Sequence, residues 1–202
     1  MRFKLAAALA LSALSAGVSA PATAAVYVFS AGLSGSQENP AVASPGTGST
    51  LVTLDDVAST LRVQTVFSGL LGNSTASHIH CCAPFGTNAG VATTTPSFPG
   101  FPLGVTAGVM DQTYDMTLAS SYRSGFITDN GGTVASAFSA LEAGMLAGQS
   151  YLNIHSTAFP GGEIRGQLAL VVPELSTWVM MIVGFGLIGG IARRRAPAPS
   201  PC

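Results

Sequence analysis

The sequence predicts an all-β domain, an antiparallel sandwich or barrel with one short helix, on three observations. Between residues 26 and 171 the apolar segments are short, rich in Thr and Val, and separated by Gly, Pro, Ser and Asn, as strands and turns require. Thr60–Ser68 alternates, with Leu61, Val63, Thr65 and Phe67 on one face and Arg62, Gln64 and Val66 on the other. Only Ala137–Ala147 repeats apolar residues (Phe138, Leu141, Met145) at near-helical spacing, and Gly148 is placed to end it. One helix among about eight strands suits a sandwich or barrel with an excursion.

Taken in order, the expected strands are Val26–Leu33, Gly48–Leu54, Thr60–Ser68, Ser77–His80, Tyr114–Leu118, Thr133–Ala135, Ser150–Ser156 and Glu163–Val171. The fourth sets His78 and His80 on one face and Ile79 on the other. In the seventh, Tyr151, Asn153 and His155 share a face opposite Leu152 and Ile154. In the eighth, Glu163, Arg165 and Gln167 alternate with Ile164 and Leu168. The simplest assembly buries Ile79, Leu152, Ile154, Ile164 and Leu168, and turns the histidines outward with Glu163 and Arg165 beside them. Cys82 to Gln112 differs in kind. Its prolines and glycines exclude long strands, while Phe85, Phe98 and Phe101 suit either a functional loop or a packed Ω-type loop closing one end of the domain.

The two ends read as targeting rather than fold. Arg2 and Lys4 precede an apolar run from Leu5 to about Val18, then Pro21-Ala22-Thr23-Ala24-Ala25. That is the order of a secretory signal cleaved after Ala24 or Ala25, and about 14 apolar residues are too few to span a bilayer. At the other end Leu175–Ala192 carries no charge and Arg193-Arg194-Arg195 follows at once. About 18 apolar residues suffice for a spanning helix, with the arginines holding its end in the cytoplasm and Trp178 at the opposite interface. The expected arrangement is a leader over residues 1–25, the β domain over 26–171 and an anchor over 172–202, with the domain in the periplasm or beyond.

Charge narrows the partners. The domain holds Arg62, Arg123 and Arg165, no lysine, and eight acids, so its net charge is −5 against −1 for the whole chain. Such a surface repels phosphate backbones, which excludes nucleic acid. No Ser-His-Asp order, paired-carboxylate motif or phosphate-cradling loop occurs, so a module acting by binding or adhesion is expected rather than an enzyme.

Three histidines serve the whole chain: His78, His80 and His155. A His-x-His pair with a distant third suits copper or zinc, copper having the greater raw affinity. In the plainer alternative His78 and His155 hydrogen-bond across strands and Arg165 pairs with Glu163 or an aspartate. Cys82 has the parity of His78 and His80 and could supply a fourth, soft ligand if the strand continues; a vicinal disulfide with Cys81 is the other option in an exported protein, a strained one because neighbouring Cα atoms are closer than the usual disulfide range.

Four stretches carry a resemblance: Ser34–Pro40 (SGSQENP), Gly69-Leu70 with Ala76–His80 (ASHIH), Ala147–His155 (AGQSYLNIH) and Pro160–Leu168 (PGGEIRGQL). In this order they resemble the CHRD domain, which implies an extracellular β module without implying an activity. Val172-Pro173-Glu174, Trp178, the apolar span and Arg193–Arg195 resemble the PEP-CTERM sorting signal. That likeness implies a Gram-negative bacterium, processing by signal peptidase and an exosortase-type enzyme, and display in the envelope or a polysaccharide matrix. The layout of His78, His80, His155 and Arg165 is similar to the copper side of Cu/Zn superoxide dismutase, itself a β-sandwich. No histidine remains for a metal bridge and no zinc set is present, so that likeness implies a pseudo-active relic or a simple metal site, with a metal-dependent or redox-type domain on His78, His80 and His155 as the alternative to the binding module.

Overall fold

The computed structural model describes residues 25–172, 181–183 and 185. The leader and the anchor, including Pro173, Glu174, Trp178 and Arg193–Arg195, lie almost wholly outside the described residues. Among those residues no helix is long and apolar enough to cross a membrane.

The strands are β1 (Val26–Ser34), β2 (Thr47–Asp55), β3 (Thr60–Ser68), β4 (Ser74–Cys81), β5 (Gly108–Asp115), β6 (Ser150–Ser156), β7 (Ile164–Gln167) and β8 (Ala169–Leu170). All pair antiparallel, in the order β4-β6-β7-β1-β2-β3-β5, with β8 also on β1. Instead of the two stacked sheets of a sandwich, these strands form a single sheet curled into a half-barrel. Its right-handed twist lets one long sheet enclose a core without a second layer.

The alternation in β3 has its predicted consequence: Leu61, Val63, Thr65 and Phe67 are buried, and Arg62 and Val66 are exposed. Ile79, Leu152, Ile154, Ile164 and Leu168 are all fully buried, joined by Phe29, Val52 and Leu54. Each such side chain contributes roughly 1.5–3 kcal/mol of transfer free energy.

Two α-helices, rather than one, pack at the end of this core: α1 (Ser124–Asp129) and α2 (Val134–Leu146), the latter burying Ala137, Leu141 and Met145. The strand expected at Thr133–Ala135 is instead the start of α2. Thr133 Oγ1 accepts from the Ser136 N–H at 3.1 Å and Ser136 Oγ accepts from the Thr133 N–H at 3.2 Å. This capping box satisfies helix-end donors, which outweighs the β-branched pattern of three residues. Gly148, at φ +67°, ends the chain's helical course as expected. The fifth strand also begins earlier than expected, at Gly108, because it completes the ladder along β3 from Phe67↔Gly108 to Thr60↔Asp115.

The segment between β4 and β5 is the packed loop of the expectation. Phe98 and Phe101 enter the core, stacking on Tyr114 and Phe67, while Phe85 stays exposed. The loop lies along β4, with the Ala92 and Thr93 N–H groups donating to Ile79 O and the Phe98 N–H to Ser77 O. It thereby covers the histidine face of the sheet.

Candidate metal centre

Antiparallel register assembles the centre. In the β4–β6 ladder His78 faces Asn153, His80 faces Tyr151 and Ala76 faces His155. His78 and His80 share a face by their two-residue spacing, and His155 is the diagonal neighbour of His78. The sequence expectation turned these histidines to solvent, but His78 and His80 are only 6% and 8% exposed, covered by the loop that follows β4. The rings lie 5.1 to 6.0 Å apart, and one ring nitrogen from each is within 4.8 Å of the other two.

Each ring is held from behind by a backbone carbonyl. His78 Nε2 bonds Pro96 O at 2.6 Å, His80 Nδ1 bonds Ala89 O at 2.9 Å, and His155 Nδ1 bonds Pro160 O at 2.9 Å. A carbonyl can only accept, so each of these nitrogens carries the proton and the tautomers follow. The lone pairs therefore sit on His78 Nδ1, His80 Nε2 and His155 Nε2, which are buried with no hydrogen-bond partner among the described residues. The cross-strand His78–His155 hydrogen bond of the alternative expectation is not formed. Burial holds all three rings below the ordinary histidine range, His80 down to about 4, so they are neutral near pH 7. Neutral imidazole with its second N–H on a carbonyl is the form in which histidine ligates metal.

A ladder of side chains backs this cluster. Tyr151 stacks on His80 with ring centroids 4.7 Å apart, and its hydroxyl donates to Ala89 O, the carbonyl that also holds His80. Arg165 Cζ stands 4.6 Å from the Tyr151 ring centroid. The Arg165 guanidinium donates to Gln37 O and to Asn88 Oδ1, and lies 3.9 Å from Glu38. Arg165 is thus beside the histidines as expected, yet its acidic partner is Glu38, neither Glu163 nor an aspartate.

Glu163 and Cys82 stand apart from the site. Glu163, just before β7, turns away from the histidines toward the Leu71-Gly72 turn. There, fully buried, it accepts hydrogen bonds from the hydroxyls of Ser44 and Ser156 and the N–H groups of Leu71 and Gly72. Cys82 is disulfide-bonded to Cys81, and the two sulfurs pack against Gly144 of α2, where any side chain would collide with both. A sulfur so engaged is no thiolate ligand.

Glu38 is the residue that sequence reasoning missed, although it sits in the Ser34–Pro40 motif as its one acid. It lines cavities of about 270 and 390 Å³, the second shared with Asn88, Pro160 and Gly162. Its Oε1 is buried without a hydrogen-bond partner among the described residues. Burial pushes its pKa up to about 7, against the opposing pull of Arg165. A carboxyl raised in the fold stabilises it below the unfolded value and loses that contribution as pH rises through about 7. Glu38→Gln is therefore expected to be more stable than the parent at pH 8 by on the order of 2 kcal/mol and to lose that advantage near pH 5. Urea denaturation at the two pH values reads it; equal differences at both would refute the assignment.

The CHRD domain family model matches residues 29–168, from within β1 to the end of β7, and so takes in all three histidines, Arg165 and Glu38. No curated protein and no solved structure matches the chain. Matched over more than half its length, the chain belongs to the CHRD domain family.

Proposed function

We propose that this domain is an exported transition-metal-binding module, with His78 Nδ1, His80 Nε2 and His155 Nε2 as ligands and copper or zinc as the metal. One observation carries the reading: three neutral rings, their centroids 5.1 to 6.0 Å apart, are each fixed by a carbonyl and each keep a buried, partnerless lone pair. One ring nitrogen from each histidine lies within 4.8 Å of the other two, so a point about 2.8 Å from a nitrogen of every ring exists. Metal–nitrogen bonds of about 2.0–2.1 Å need a contraction of under an ångström.

The family fits an extracellular or periplasmic module. The apolar leader and the Arg-terminated C-terminal span support export, sorting by an exosortase-type enzyme and display in the envelope or its matrix. This takes the metal-binding alternative in place of the adhesion module that led the sequence expectation.

The test is metal analysis of the full chain, purified without a polyhistidine tag and dialysed against copper or zinc. About one ion per chain is expected. His80→Ala and His155→Ala should each weaken binding by more than about 100-fold, since even the groups behind a ligand are worth 10–100-fold. Substoichiometric metal, or metal retained in both variants, would overturn the proposal.

A further inference from the structure

We infer that the histidine centre is a copper(I) site, holding the cuprous ion in preference to Cu(II) and Zn(II). This rests on the metal-site reading above and names the ion that the site's charge and ligand count select.

The donor set is three neutral nitrogens. Among the described residues, no Asp, Glu or Cys joins the three histidines in a group close enough to share an ion. Glu163 spends both oxygens on Ser44, Ser156, Leu71 and Gly72, and the sulfur of Cys82 is in a disulfide. Glu38 faces the guanidinium of Arg165. The ligands therefore bring no negative charge to offset the ion.

Burial makes that lack decisive. His78 and His80 lie under the 82–107 loop, and the charging cost of an ion in such a medium grows as the square of its charge. A dication costs about four times what a monocation costs there. Arg165 adds a fixed positive charge one aromatic ring away, over the Tyr151 that stacks on His80, and repels a dication twice as strongly. Ligand number points the same way. Zn(II) completes a tetrahedron and Cu(II) a tetragonal plane with further donors, whereas Cu(I) is satisfied by three nitrogens. The ordinary affinity order places Cu(II) above Zn(II) on nitrogen ligands. That order is set where water and anions complete the shell, and among the described residues no anionic side chain is close enough to share the ion.

The experiment titrates the untagged full chain anaerobically with Cu(I) against bicinchoninate, and separately with Cu(II) and Zn(II) against chelators of known affinity. Cu(I) is expected to bind one per chain, with a dissociation constant at least about 100-fold below those for Cu(II) and Zn(II). In Arg165→Met, the Cu(II) affinity should rise about tenfold while the Cu(I) affinity changes by less than about threefold; circular dichroism checks that the variant is folded. Should Cu(II) or Zn(II) bind as tightly as Cu(I), and be lost in His80→Ala, the copper(I) inference fails and the metal-site reading stands. Should no ion bind stoichiometrically, both fail.

Discussion

Replacing Glu163 by alanine is expected to lower the stability of the domain by about 3–5 kcal/mol, the cost of removing one partner from a buried charged network. The carboxylate is fully buried and ties together three separate parts of the chain: Ser44 before β2, the Leu71-Gly72 turn before β4, and Ser156 at the end of β6. Alanine would strand the buried Gly72 N–H and Ser156 hydroxyl, each unmade bond costing about 1–3 kcal/mol, and free the Ser44 and Leu71 donors, whose bonds are partly buried. A domain of this size has only about 5–15 kcal/mol in reserve, so a large fraction of its stability depends on one side chain. Glu163→Gln keeps the shape and one acceptor oxygen, and should lose about half as much. The pH dependence carries an independent signature. Burial alone would raise this carboxyl, but the bonds from Ser156, Ser44, Leu71 and Gly72 hold it below the ordinary glutamate range. A depressed carboxyl stabilises the fold above its unfolded pKa, about 4.3, and loses that contribution as pH falls through the folded value. The difference between parent and Glu163→Gln, followed by urea denaturation, should therefore shrink below about pH 4. A difference independent of pH there would refute the network as drawn.

Tyr151→Ala should weaken metal binding by about 10–100-fold without touching a ligand, and destabilise the domain by about 3–5 kcal/mol. The ring is buried between His80 and the guanidinium of Arg165, and its hydroxyl meets both the N–H and the carbonyl of Ala89. Ala89 O is also what fixes the His80 tautomer. Removing the ring frees His80 to rotate and loosens the loop that orients it. Tyr151→Phe separates the two contributions. It retains the stacking and the cation–π contact, gives up the Ala89 bonds at about 1 kcal/mol, and should keep most of the affinity. Competition against a chelator reads both variants, with urea denaturation beside it. Unchanged affinity in folded Tyr151→Ala would show that His80 needs no such support.

Where local patterning carries the information, the sequence is readable to the residue. Thr60–Ser68 and Ser150–Ser156 have the bounds their alternation implies. The core assigned to Ile79, Leu152, Ile154, Ile164 and Leu168 is the core that forms, because a period of two leaves a half-buried strand one way to face. The same parity sets His78, His80 and His155 on one face. It fails at Glu163, which lies just outside β7 and is drawn to hydrogen-bond donors from Ser44, Leu71, Gly72 and Ser156. It fails again at Thr133, where a capping hydrogen bond decides between helix and strand.

By itself, then, the sequence determined the β class, the core, the family motifs and the face on which three imidazoles stand, all properties of short-range periodicity and residue type. Only the tertiary structure decided that this face is covered, and by what. The carbonyls of Pro96, Ala89 and Pro160 carry no side-chain signature, so nothing in the residue string marks them as the groups that orient His78, His80 and His155. Arg165 likewise meets Gln37, Asn88 and Glu38 from segments far apart in the chain. Such pairings depend on how a curled sheet brings distant loops over one face, which local preferences do not encode.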